Sequence, residues 1–232
     1  PQPPGARAGS DGATVGVRRE RPARAGQRRR TRTWARSSLA HRPAVRQSSS
    51  GSSAVCRRTR TSACSWSNTC QKGSGRFDAD HVVARFADRL DGRSSYTVTE
   101  AASGERIGPG EARVAPGGHH LLTTSDRSGR LELELTESEP IHGVRPAIDV
   151  TMAAAAETVD GPLCAVLLTG MGRDGVDGLQ RVAGSGGHTV AQDEETSAIF
   201  GMPRRAIEAD CVDDVAPAGE IAENALQYFA EE

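Results

Sequence analysis

Hydrophobic and polar positions alternate with recognisable periods only from about Phe77 onward. His81–Leu90 places Val82, Val83, Phe86 and Leu90 at helical spacing. Ser95–Glu100 alternates as a short strand, and Ala112–Ala115 follows the Gly108-Pro109-Gly110 turn as another. Pro116-Gly117-Gly118 turns the chain again, and Leu131–Leu135 alternates strictly, the pattern of a strand with one wet face. Ala147–Thr158 is an alanine-rich helix. Ala165–Leu168 is continuously apolar, as expected of a strand covered on both faces. Val176–Val182 reads as a helix ending near Gly184–Gly187, and Thr189–Ala191 as a short strand. Met202–Ala209 is a helix with Pro203 in its first turn, and Ile221–Phe229 is a final helix. Strands alternating with helices in this order predict a doubly wound α/β fold, its sheet mainly parallel and carrying a β-hairpin insertion.

Residues 1–75 read differently. Arg, Ser, Thr, Pro and Gly dominate, with aliphatic residues scattered singly, so neither a helical nor a strand period emerges. Such a segment buries too little apolar surface to offset its ordering entropy, which predicts no packed core there and missing or disordered N-terminal strands. Two regions follow: an aberrant Arg/Ser-rich segment over 1–75 and an α/β domain over 76–232.

The formal net charge of −1 conceals this division. Residues 1–75 carry 15 Arg and Lys72 against Asp11 and Glu20, leaving 13 basic and 28 acidic groups in the remainder. An acidic, lysine-free domain suits solubility in high salt and says nothing about fold. The basic segment offers a nucleic-acid arm as one reading, but beyond Trp34 and Trp66 it lacks interleaved aromatics. Cys56, Cys64, Cys70, Cys164 and Cys211 form no metal-ligand or disulfide pattern, and Cys164 and Cys211 sit among apolar residues as small buried side chains. No run approaches the roughly 18 apolar residues of a membrane span. The first residues have no signal-peptide core either, which predicts a cytosolic protein.

The stretch richest in chemistry is Leu167–Gly175, LLTGMGRDG, where a buried strand enters a glycine-rich turn ahead of a helix. Ligands bind beyond the carboxyl ends of strands in such sheets. Three readings fit the spacing. The loop is a tight turn with Asp174 capping the helix that follows. Alternatively it cradles a phosphate, although it matches neither GxGxxG nor GxxxxGK[ST]. Or Asp174 orients a catalytic imidazole as the acid of a nucleophile–base–acid triad. Spacing alone does not choose among them.

Five segments, in order between Phe86 and Ile207, resemble the catalytic domain of CheB-type chemotaxis protein-glutamate methylesterases. They are FADRL at 86–90, VAPG at 114–117 with His120-Leu121, RPAIDV at 145–150, LLTGMGRDGVDGL at 167–179, and QDE at 192–194 with FGMPRRAI at 200–207. The resemblance implies a cytoplasmic Ser-His-Asp hydrolase that needs no cofactor or metal. It would remove methyl groups from glutamyl methyl esters of methyl-accepting chemotaxis receptors, and often deamidate receptor glutamines. Asp174 would be the triad carboxylate. Gly170, Met171 and Gly172 would form the oxyanion and substrate loop, the Met171 backbone N–H binding the oxyanion. Upstream, the family usually carries a receiver domain phosphorylated by a histidine kinase. Neither nucleic acid nor membrane insertion enters this function. His119, His120, His142 and His188 do not occupy the family's catalytic histidine position and read as structural or surface residues.

The family's nucleophile loop, GASTGG, and its histidine segment, VVQHMPxGFT, are absent from this sequence and would both precede Phe86. A frame reading the third base of one codon with the first two of the next recovers them. Leu39–Arg46 is then compatible with Gly-Ala-Ser-Thr-Gly-Gly-Pro, and Cys64–Ser74 with Leu-Val-Val-Gln-His-Met-Pro-Glu-Gly-Phe. Trp66 has a single codon, so its final G followed by TC of Ser67 gives valine. Both motifs return in order and in one frame, which predicts that residues from about Thr33 to Ser74 are translated out of frame, with the frame restored near Gly75. The alternative is a non-catalytic remnant that still binds receptors.

Overall fold

A computed structural model describes the backbone of residues 52–59, 61–68, 79–82 and 231, together with residues 83–126 and 130–230 in full. Residues 1–51, which hold most of the Arg-rich stretch and the GASTGG-compatible segment, lie outside the described residues. The elements are β1 (Ser52–Thr59), β2 (Thr61–Asn68), α1 (Ala79–Asp91), β3 (Thr97–Glu100), β4 (Glu111–Val114), β5 (His120–Ser125), β6 (Leu131–Thr136), α2 (Ile148–Thr158), β7 (Leu163–Leu167), α3 (Val176–Gly184), β8 (His188–Gln192), α4 (Met202–Glu208), β9 (Asp214–Ala216) and α5 (Ile221–Glu231).

Seven strands form one sheet in the order β3-β4-β2-β1-β7-β8-β9, and β5 and β6 form a separate antiparallel hairpin. Within the large sheet β3–β4, β4–β2, β7–β8 and β8–β9 are parallel, so the fold is the mainly parallel α/β sheet expected, with its hairpin insertion. Helices cover both faces because β7 is apolar at every position. Leu163, Ala165 and Leu167 point into a core made with α2, α3 and α4. Cys164 and Val166, on the other face, meet Val190 and the α5 residues Ile221, Ala225 and Phe229. A strand covered on both sides must read as a continuous apolar run, and this one does. At the far edge, Val83 and Ala87 of α1 pack on Val98, Ala112 and Val114, with Phe86 and Leu90 partly buried beside them.

The expectation of no regular element before Phe77 does not hold for β1 and β2. They occupy the middle of the sheet, β1 antiparallel to β7 over Ser53↔Leu167 to Arg57↔Leu163, and β2 parallel to β4. Backbone amides and carbonyls rather than side-chain pattern account for this. Parallel strands β4 and β7 each present an open edge, and any extended backbone can satisfy it. Arg60 alone connects β1 to β2. Parallel neighbours need a crossover of a dozen or more residues, so with this connection one of the two must run against the sheet.

β5 and β9 were also without a sequence signal. β5 owes its extended form to its partner β6, paired from His120↔Thr136 to Ser125↔Leu131. β9 has three residues, too few to show a period, and is defined by pairing with β8.

α2 and α3 approach closely at Gly178. A Cβ there would lie 2.7 Å from the Met152 Cβ and 3.1 Å from the Asp149 Cα, neither of which can swing aside. Gly178→Ala is therefore expected to destabilise the domain by roughly 1–3 kcal/mol, read as a lower urea midpoint with an unchanged slope.

Candidate active site

The turn between β7 and α3 holds Gly170, Met171, Gly172 and Asp174 together. Gly172 and Gly175 have φ of 101° and 93°, conformations that favour glycine. At Gly175 a side chain would also strike Leu167 Cδ1 at 2.5 Å. These two glycines let the chain leave a buried strand, reverse and enter α3 within a few residues.

That reversal carries Asp174 to the start of α2. Its Oδ2 accepts the Ile148 N–H at 2.9 Å and its Oδ1 the Asp149 N–H at 3.0 Å. Ala147, the residue preceding α2, makes no cap of its own. Its N–H is bound instead by Nδ1 of buried His120 at 3.1 Å, while His120 Nε2 lies 3.1 Å from the Glu139 carbonyl. With Nε2 protonated, the ring donates to Glu139 and accepts from Ala147. Three amides at the start of α2, which no helical carbonyl can reach, are thus satisfied by side chains from other elements. Asp174 is a capping residue, but of α2 across the core and not of the helix that follows it.

The connection is reciprocal. Asp149, in the first turn of α2, accepts the Gly178 N–H of α3 at 2.7 Å, and its other oxygen lies 3.1 Å from His142 Nε2. The sequence offered His142 only as a structural or surface residue and Asp149 only within the RPAIDV resemblance; nothing in the pattern pointed to a cross-helix contact. His142, Asp149 and Asp177 each offer a possible metal-ligand atom within 4.8 Å of the others. The Asp177 carboxylate in that group already meets the Arg173 guanidinium at 2.8 Å.

Asp174 is only 4% exposed. Burial raises its pKa from the ordinary aspartate value, the Ile148 and Asp149 amides pull it back, the Asp149 charge pushes it up, and His142 pulls it down. Each carboxylate oxygen has a second lone pair, so both amide bonds leave acceptor capacity for an imidazole N–H.

A second loop, 193–201, is joined to the Met171 turn. Thr169 N–H donates to Gln192 Oε1 at 2.9 Å, and Gln192 Nε2 donates to the Thr196 carbonyl at 2.8 Å. The Gly170 carbonyl accepts the Gly201 and Met202 amides at 3.1 and 2.8 Å. The approach demands glycine at Gly201, where a Cβ would lie 2.6 Å from that carbonyl oxygen. Both loops leave the carboxyl ends of neighbouring parallel strands, the position where open α/β sheets bind ligands.

Two other histidines among the described residues make contacts elsewhere. His119 pairs with Glu137 at 3.2 Å. His188, at the opposite end of the sheet, lies 3.1 Å from Asp214 and stacks on Tyr228 with ring centroids 4.8 Å apart.

Fold and site define a doubly wound α/β protein with an amide-held carboxylate below a glycine-rich turn at the strand ends. Known proteins give that class a family. The sequence profile of the CheB methylesterase family matches residues 78–225. A protein-glutamate methylesterase/protein-glutamine glutaminase of Natronomonas pharaonis is 58% identical over 153 residues, covering 66% of this chain and 43% of the relative. One from Halobacterium salinarum is 54% identical over 144 residues, covering 62% and 42%. The crystal structure of the Thermotoga maritima CheB methylesterase catalytic domain superposes with a TM-score of 0.62 at 37% identity, covering 69% of this chain and 80% of that one. This chain belongs to the CheB methylesterase family. It spans less than half the length of these curated relatives.

The raised pKa has a definite sign in stability. The folded state holds the Asp174 proton more tightly than the unfolded chain, so its contribution is full below the unfolded carboxylate pKa and is lost as pH rises through the folded one. In Asp174→Asn this dependence should vanish. Urea midpoints measured from acid to neutral pH should therefore show the variant gaining on the wild type as pH rises through and above the carboxylate range.

Proposed function

We propose that this chain derives from a protein-glutamate methylesterase, with protein-glutamine deamidase activity, acting in the cytoplasm on methyl-accepting chemotaxis receptors. Residues from about Thr33 to Ser74 are an out-of-frame translation, and the chain as it stands lacks its nucleophile and base. The family membership supports the reaction, and the observation that carries the site assignment is the buried Asp174 carboxylate in the turn between β7 and α3. Its two amide contacts fix its orientation and leave lone pairs for a histidine.

In the complete enzyme, serine attacks the γ-ester carbonyl while histidine takes its proton, and Asp174 holds the ring's tautomer and stabilises the imidazolium. The Met171 N–H binds the developing oxyanion. Histidine then protonates the departing methanol, or ammonia from glutamine, and water hydrolyses the acyl-enzyme. Gly170 and Gly172 allow the backbone to approach the substrate. Partners are the receptors and an upstream receiver domain phosphorylated by a histidine kinase.

The central hairpin favours the frame reading. The displaced stretch would supply two buried strands and a helix, whereas β1 and β2 fill two lanes with a single-residue connection and one strand reversed. Residues 1–75 then make no packed core of their own, and the remainder is marginally stable.

Removing a triad serine costs on the order of a million-fold in turnover. Ester hydrolysis by this chain is thus expected to be negligible, and ordinary turnover would refute the reading. Sequencing the locus should find codons for GASTGG and QHM in the neighbouring frame. The alternative of a non-catalytic receptor-binding remnant rests on the intact Met171 and 193–201 loops; pull-down with receptor cytoplasmic fragments, without turnover, would support it.

A further inference from the structure

Two of the large apolar side chains exposed among the described residues lie on the two loops that meet at Gly170: Met171 is 80% exposed and Ile199 50%. Their loops are in register. The Gly170 N–H donates to the Ile199 carbonyl at 2.9 Å, and Gly170 forms a parallel bridge with Phe200. Thr169 Oγ1 accepts the Ile199 N–H at 2.8 Å and donates to the Ile199 carbonyl at 3.1 Å. With both of its backbone polar groups engaged, Ile199 is held in place, and its side chain faces water on a rigid support. Isolated exposed apolar residues need no explanation, but two on backbone-joined loops at the carboxyl ends of neighbouring strands offer a contact surface.

The charge around the pair narrows what it contacts. Glu194 and Glu195 are exposed on the same loop as Ile199. Of the exposed arginines on the adjoining segments, Arg173 and Arg204 face their own carboxylates, Asp177 at 2.8 Å and Glu208 at 3.8 Å, leaving Arg205 against Glu194 and Glu195. An acidic rim of this kind tolerates a neutral ester or amide and repels a carboxylate.

We propose that Met171 and Ile199 are specificity-determining residues. Their side chains seat an apolar residue flanking the modified glutamate, while the Glu194–Glu195 rim favours the neutral ester or amide over the carboxylate product. This rests on the methylesterase reading and adds to it a means of telling substrate from product.

The test uses the full chain and fluorescence anisotropy with three synthetic peptides. One carries a γ-glutamyl methyl ester between leucine and alanine, the second free glutamate at that position, and the third serine. The ester peptide should bind more tightly than the free acid, and the gap should narrow with added salt. Met171→Ser and Ile199→Ser should each weaken ester-peptide binding about tenfold. Leu226→Ser, on α5 and 57% exposed, should leave it unchanged. Circular dichroism melts establish that each variant is folded. Absence of ester-peptide binding by the wild type, or substitutions without effect in folded protein, would overturn the proposal. Equal binding of the ester and serine peptides, with the substitutions still effective, would instead mark failure of the methylesterase reading itself.

Discussion

The contact on which the rest depends is the bond pair from the Asp174 carboxylate to the Ile148 and Asp149 amides. A helix start presents N–H groups with no intrahelical partner, and α2 has no capping side chain of its own. A carboxylate from the next strand–helix turn answers that need and gains from the favourable field at a helix N-terminus. Asp149 returns a bond to α3 at Gly178, so the two helices are joined in both directions. This reciprocal arrangement fixes the position of a buried charge to within a hydrogen bond. A carboxylate that orients a catalytic imidazole needs such fixing, so the structural and proposed catalytic roles of Asp174 are compatible.

Around that anchor, the site is assembled by close packing at glycines. A Cβ at Gly201 would strike the Gly170 carbonyl oxygen and one at Gly175 the Leu167 side chain, while Gly172 and Gly175 supply the reversal of direction. The result is two loops locked by Thr169 and Gln192 across the carboxyl ends of β7 and β8. On that support the Met171 and Ile199 side chains are exposed.

Along the sheet the reverse holds: the demand comes from backbone and the side chains are secondary. Parallel strands β4 and β7 leave edges that require hydrogen-bond partners, and a segment with no strand pattern in its side chains lies in the gap. A hairpin with a single connecting residue cannot reproduce two parallel strands, and the reversed β1 is the geometric consequence. Sheet completion and catalytic competence are therefore separate requirements. Backbone alone can meet the first, while the second needs particular side chains at particular strand ends.

Much of this was legible in the residues. The apolar run at β7 had to be a strand buried on both faces, the 3.6-residue spacing had to give α1 and α3, and the LLTGMGRDG turn had to lie at a strand's carboxyl end. Those features follow from local periodicity and backbone stereochemistry, which are written in neighbouring residues. Only tertiary structure decided that Asp174 caps α2, that Asp149 and His142 meet, that Ile199 lies against Gly170, and that residues 52–68 pair with β4 and β7. Each of these joins segments distant in sequence, and a hydrogen bond between distant residues leaves no period along the chain.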